Sequence, residues 1–162
     1  MKKNQLTTHK SSVLLLGKSK SLMKITKKLL DSKSKELANH KDITIIGDLM
    51  WEKETRDMQW DNGMEYAKNL RLGGYDDWRL PTKEELFNVG RLCLNQLNNS
   101  NDWYSEPFQV AYAEKGFSSG YYWTSELASL MNSVNFVSLK GGIGGSTDKI
   151  CKCYVRCVRD GQ

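Results

Sequence analysis

An α+β fold is predicted for this 162-residue chain: two helices, then a small, mainly antiparallel sheet. Three observations predict it. Two stretches, beginning near Asp61 and at Thr82, carry apolar residues at helical spacing. Three short β-prone stretches, residues 121–125, 133–139 and 151–159, close the sequence, the last two separated by a glycine-rich decapeptide. Between helices and strands lies a long polar and aromatic stretch, residues 95–120, and loops of that length in compact domains are often functional.

Charge divides the chain before any element is placed. Residues 1–46 hold eleven Lys, no Arg and three acids, a balance of +8. Residues 47–162 balance at −3 and contain all five Trp and both Pro. The expected organisation is a basic, partly helical or disordered segment over 1–41 and a mildly acidic module over 42–162. The overall pI therefore gives no basis for a nucleic-acid or sulfated-sugar surface on the module itself. No run reaches the ~20 apolar residues that cross a bilayer. A leader starting at Met1-Lys2-Lys3 would have the apolar core Val13 to Leu16, far short of the roughly 7–15 residues expected, so no export signal is read.

In chain order, residues 1–12 are polar and expected to be disordered. From 19 to 38, Leu22, Ile25, Leu29, Leu30 and Leu37 alternate with Lys24, Lys27, Lys28, Lys33 and Lys35, which predicts a basic amphipathic helix. Such a helix either docks on the module or frays, or it serves as a surface helix for anionic membrane or nucleic acid. Leu16-Gly17-Lys18-Ser19 resembles the end of a phosphate loop, but Ser12 stands where the first glycine is required. Ile43 to Ile46 is a β-branched strand, followed by Leu49, Met50 and Trp51 as buried filling. Asp61 is placed as the cap of a first helix, with Trp60, Met64, Ala67 and Leu70 on one face and its end at Gly73. Gly73 and Gly74 supply positive φ. Pro81 makes Leu80 extended, and Thr82 with Glu85 forms a capping box. Asp76, Asp77 and Arg79 cluster beside Trp78. The second helix then places Leu86, Val89, Cys93 and Leu97 on one face. Trp123 and Phe136 are assigned to the core.

Four motifs carry a family resemblance: LMWEKE at 49–54, GGYDDWRLPTKEEL at 73–86, YYWTSE at 121–126 and YVRCVRDG at 154–161. Together they resemble the DUF1566 family, which includes the C-terminal domain of the Legionella collagen-like protein and has a C-type-lectin-like fold. The resemblance spans roughly residues 43–161 of the chain. It implies that the first and last strands pair, bringing 43–46 beside 154–159. It also implies a cell-surface or secreted setting, a homotrimer, and adhesin-like recognition of a glycan, glycosaminoglycan or host or matrix protein. The scaffold of that reading is Trp78, Arg79, Pro81, Thr82 and Glu85. The RLPT segment with its Glu is also similar to formylglycine-generating enzymes, which keeps an enzyme with a reactive cysteine pair as an alternative.

The residues themselves carry little catalytic chemistry. Both histidines, His9 and His40, lie outside the module, which removes the usual general base. No catalytic residue, metal site or cofactor is predicted. Cys151, Cys153 and Cys157 share a strand parity, but the outer two would be about 20 Å apart, too far for one zinc. Members of the family often pair a first-helix cysteine with the one in the RCVR motif, and here the first helix has none. The cysteines are either free, buried thiols or include one disulfide from Cys93 to Cys151, Cys153 or Cys157. Calcium-dependent sugar binding needs an oxygen-ligand triplet in the long loop, and Glu106-Pro107-Phe108 lacks its third ligand. What remains is a surface of aromatic and small polar residues, with Trp103, Tyr104 and Tyr112 as contact candidates. Lys140, Lys149, Lys152 and Arg156 are added for an anionic ligand, should they cluster near the hairpin. The expected function is non-catalytic ligand binding, with an interaction module tethered to membrane or nucleic acid by the basic helix as the other alternative.

Overall fold

The computed structural model describes residues 22–32, 40–97, 102–129 and 131–161. The chain divides into two compact units, residues 1–39 and 40–162. In the first, residues 22–32 form helix α1. The predicted polar leader and the rest of the predicted basic helix lie outside the described residues.

The second unit is α+β. Strands β1 (Ile43–Ile46) and β2 (Leu49–Glu52) form a hairpin, and β8 (Val158–Asp160) adds to β2 in a three-stranded sheet ordered β1-β2-β8. A five-stranded sheet, ordered β3-β7-β4-β5-β6, contains β3 (Arg56–Gln59), β4 (Tyr121–Leu127), β5 (Ser133–Ser138), β6 (Ile143–Asp148) and β7 (Lys152–Val155). Its pairs are antiparallel except where Tyr122 of β4 meets Tyr154 of β7. Helices α2 (Trp60–Asn69), α3 (Lys83–Gln96) and α4 (Glu106–Glu114) complete the unit. One apolar cluster gathers Trp51, Leu86, Phe108 and Tyr122; a second gathers Trp60, Trp78, Trp123 and Cys157.

Several expectations change. The last strand pairs with β2, not with Ile43–Ile46, so the 43–46 segment is an edge one strand away from the C-terminal end. The stretch 151–159 is two strands, because the chain leaves the large sheet after Val155 and joins the small one at Val158. Crossing between sheets buries every residue from 155 to 159, and Arg156 goes inside with them. Strand parity therefore fails: Cys153 and Cys157 are buried while Cys151 is exposed, and all four cysteines are free. The expected glycine-rich connection over 140–149 is mostly strand, since β6 pairs with β5 from Ser138↔Ile143 to Ser133↔Asp148. The expected loop 95–120 contains α4, opened by Ser105 with Pro107 in its first turn. Helix α2 has Gln59 and not Asp61 at its N-cap position, with no side-chain cap bond, ends at Asn69 before the glycines, and leaves Met64 exposed.

The 73–86 motif behaves as its residues require. Gly73 and Gly74 take φ of 66° and 86°. Trp78 is buried and donates its indole N–H to Leu72 O at 3.1 Å. Backbone bonds in both directions join Arg79 to Val158 of β8. Thr82 and Glu85 form the reciprocal capping box, and the Arg79 guanidinium grips the Glu85 carboxylate at 2.7 and 2.8 Å. A third bond from Arg79 reaches Asp160 at 3.0 Å. Asp77 similarly holds Arg159, at 2.7 and 3.1 Å. The motif is thus a clamp that fastens the start of α3 to the C-terminal strand.

That clamp has an acid-sensitive part. Burial alone would raise the Glu85 carboxyl, but hydrogen bonds from Arg79 and from the Thr82 backbone hold it below its ordinary value. A carboxyl lowered in the folded state stabilises above its unfolded pKa and loses that contribution as pH falls through its folded pKa. The Glu85→Gln variant is expected to melt below the parent at neutral pH, by about 1 kcal/mol or less given the partly exposed Arg79. The difference between the two proteins should disappear as pH falls through the lowered folded-state pKa of Glu85. A gap that stays constant with pH would show that the capping geometry, not the charge, carries the effect.

Candidate functional site

The aromatic surface is built where the 102–105 segment crosses the β5–β6 turn. Asp102 Oδ1 accepts the Tyr104 backbone N–H at 3.0 Å, and the Asp102 carbonyl accepts the Ser105 hydroxyl at 2.9 Å. Gln109 of α4 reaches back to the Tyr104 carbonyl at 3.1 Å. These bonds fix a tight turn that throws two neighbouring rings in different directions. Trp103 turns inward, edge-on to Phe108 at 5.2 Å and to Phe87 at 6.3 Å. Tyr104 turns outward and is 60% exposed.

Glycines make room for both rings. Gly90 of α3 lies against the Trp103 ring, and a Cβ at Gly142 would come within 2.6 Å of the same ring. Tyr104 lies on Gly141, whose Cβ would collide with the phenol oxygen. Gly141 and Gly142 also have φ of 87° and 60°, which l-residues with side chains rarely adopt. Ser138 ties the turn by donating to Lys140 O at 3.1 Å. The result is a flat phenol face above a glycine turn, with Asp102 and Lys140 exposed beside it and Trp103 wedged beneath.

The predicted contact residues separate into three groups. Trp103, Tyr104 and Lys140 come together. Tyr112 is 3% exposed and packs at a tilt against Phe108, so it supports the surface from within. Arg156 is likewise interior, correcting its placement on a cationic patch: its Nη2 donates to Lys115 O at 2.8 Å, its Nε bonds Glu52 O, and its guanidinium lies 3.9 Å from the Phe117 ring centre. Burial pushes its pKa down to about 10. Lys149 follows the far end of β6, roughly 17–20 Å of strand away from Lys140, and Lys152 opens β7, which β4 and β5 separate from β6. Lys149 is also engaged, over the Trp60 ring at 4.6 Å. The basic cluster that would favour a sulfated polysaccharide is not assembled.

Concave regions also lie elsewhere on the module. A cleft of about 350 Å³ is lined by Asp42, Glu52, Arg56 and Tyr66. Its floor is the buried Glu52 carboxylate, which accepts Arg56, the Tyr66 hydroxyl and the Cys157 N–H. Burial first, and then this carboxylate, raise both the Tyr66 hydroxyl and the Cys157 thiol. Burial pushes the Cys153 thiol up to about 11. These thiols are protonated at neutral pH, the opposite of an activated nucleophile. A second cleft, of about 520 Å³, runs between the β1–β2 turn and α3, past Ile46, Leu49, Asn88 and Asn95. Among the described residues no group of three or more potential metal ligands occurs, and no helix is long and apolar enough to cross a membrane.

The fold and surface define a class: a small α+β module whose Asp77, Arg79 and Glu85 charges fasten the scaffold and whose loops display aromatic and polar groups. The chain belongs to the Lcl C-terminal domain family, which it matches over residues 46–159, more than two thirds of its length. Comparison with curated proteins gives no match.

Proposed function

We propose that residues 40–162 form a non-catalytic recognition module on a lectin-like plan, binding a glycan in an adhesin-like way at the Tyr104 surface. One observation carries this reading: an exposed phenol face lies over the Gly141 turn, beside a partly buried Trp103 wedged against Gly142 and Phe108. An aromatic ring ordered before binding loses little entropy on contact, and a flat ring suits the apolar face of a sugar. Asp102, Ser105 and Lys140 supply hydrogen-bonding groups around it. The membership in the Lcl C-terminal domain family supports a recognition role. Cys153 and Cys157, with thiols held protonated by burial, weigh against chemistry of the formylglycine-generating type.

The test is a glycan array with the full chain and its Tyr104→Ala variant, at low and high salt. Loss of an exposed central aromatic contact is expected to cost about tenfold or more in affinity. The melting temperature should not move, because the ring is mostly in solvent. Salt should matter little, given the dispersed lysines. Retention that survives Tyr104→Ala and vanishes with salt would be lysine adsorption and would remove the proposal. Selective binding of a protein in place of any glycan would move the same surface to a protein ligand.

A further inference from the structure

Helix α1 carries an apolar face with no function in the reading above. At 100° per residue, Ile25, Leu29, Leu22, Thr26, Leu30 and Met23 fill one continuous arc of about 160°. Lys27, Asp31, Lys24, Lys28 and Ser32 fill the remainder. Apart from Thr26 the segregation is complete over the eleven described residues. Leu22, Met23, Ile25, Leu29 and Leu30 are each between 55% and 67% exposed. The one polar residue in the arc has its polarity engaged: the Thr26 hydroxyl donates to Leu22 O at 2.9 Å.

We infer that α1 is an in-plane anchor for an anionic lipid surface. Charge and shape select that occupant over the others. The helix sits in a segment of eleven Lys against three acids, complementary to anionic headgroups. Lys24, Lys27 and Lys28 occupy the polar face, and the long stems of Lys27 and Lys28, which flank the arc, can reach headgroups beside a buried apolar face. Nucleic acid would use the lysines but leave this arc in water. The segment also contains no Arg, the side chain best suited to bidentate base contacts. At about 16 Å the described helix lies in an interface and is far too short to span one. This inference is independent of the Tyr104 surface.

The test is cosedimentation of the full chain with vesicles, either pure phosphatidylcholine or with roughly one third phosphatidylserine. Binding is expected only to the anionic vesicles, weakening as salt rises. The double variant Ile25→Ser, Leu29→Ser keeps every charge, yet should reduce partitioning by about tenfold or more. Its retention on duplex DNA should equal that of the parent. Equal vesicle binding by parent and variant would reduce the effect to lysine adsorption and overturn the inference. So would parental binding to DNA without binding to vesicles. Failure to bind vesicles, with the variant losing either a dimer seen in sedimentation or several degrees of melting temperature, would assign the arc to a second copy or to the module.

Discussion

Replacing Arg156 with alanine is expected to destabilise the module by about 3–5 kcal/mol, among the largest effects of any single substitution in it. The side chain is 1% exposed, so its removal leaves a large void at the point where the chain passes from one sheet to the other. It also strips a donor from two carbonyls, Glu52 O and Lys115 O, drawn from segments far apart in sequence. A buried acceptor left without its donor costs roughly 1–3 kcal/mol. The cation has no carboxylate of its own: Glu52 points its carboxylate at Arg56 and Tyr66, and one Arg156 nitrogen, Nη1, is buried without a partner. An apolar side chain of similar length should therefore restore much of the loss. Arg156→Met is expected to cost only about 1–2 kcal/mol, because filling the space matters more than the charge. Chemical denaturation of the three proteins measures both differences. An alanine variant as stable as the parent would show that neither the void nor the carbonyls matter. A methionine variant as poor as alanine would put the weight on the hydrogen bonds.

Trp103→Ala is the second large effect, and its consequences extend to the surface. The indole fills the notch between Gly90 on α3 and Gly142 in the β5–β6 turn, and its loss is expected to cost about 2–4 kcal/mol. The turn and Tyr104 then lose their common support, so ligand affinity should fall as much as in Tyr104→Ala. Gly142→Ala approaches the same point from the other side. Its Cβ enters the indole and its φ of 60° strains an alanine, which together are worth about 1–3 kcal/mol. If the two substitutions act on one contact, the double variant will be less destabilised than the sum of the singles. Strict additivity in a double-mutant cycle would mean that the wedge and the turn are independent. Binding preserved in Trp103→Ala would separate the Tyr104 surface from its proposed support.

Legibility followed the range of the interaction. The clamp at 73–86 could be read because its signals are local: glycines at positive φ, an extended residue before Pro81, and a capping box three residues wide. Helix α4 carried the same sort of local signal, Ser105 ahead of Pro107, but the surrounding Asn and Ser masked it in a stretch that read as loop. Strand β6 had almost none. Gly144 and Gly145 are poor strand formers, and the segment is extended because β5 offers it a complete ladder.

The sequence by itself determined the α+β class, the uneven distribution of charge along the chain and the capping box at the start of α3. Each rests on composition or on contacts within a few residues. Tertiary structure decided which of Trp103 and Tyr104 faces water, that Tyr112 and Arg156 are interior, that Lys140 stands far from Lys149 and Lys152, and that three cysteines of equal parity have different fates. The reason is the same in every case. Parity and period fix a side chain's direction only relative to its own strand or helix, whereas the crossing at 155–158 and the turn over Trp103 set the direction of the element itself.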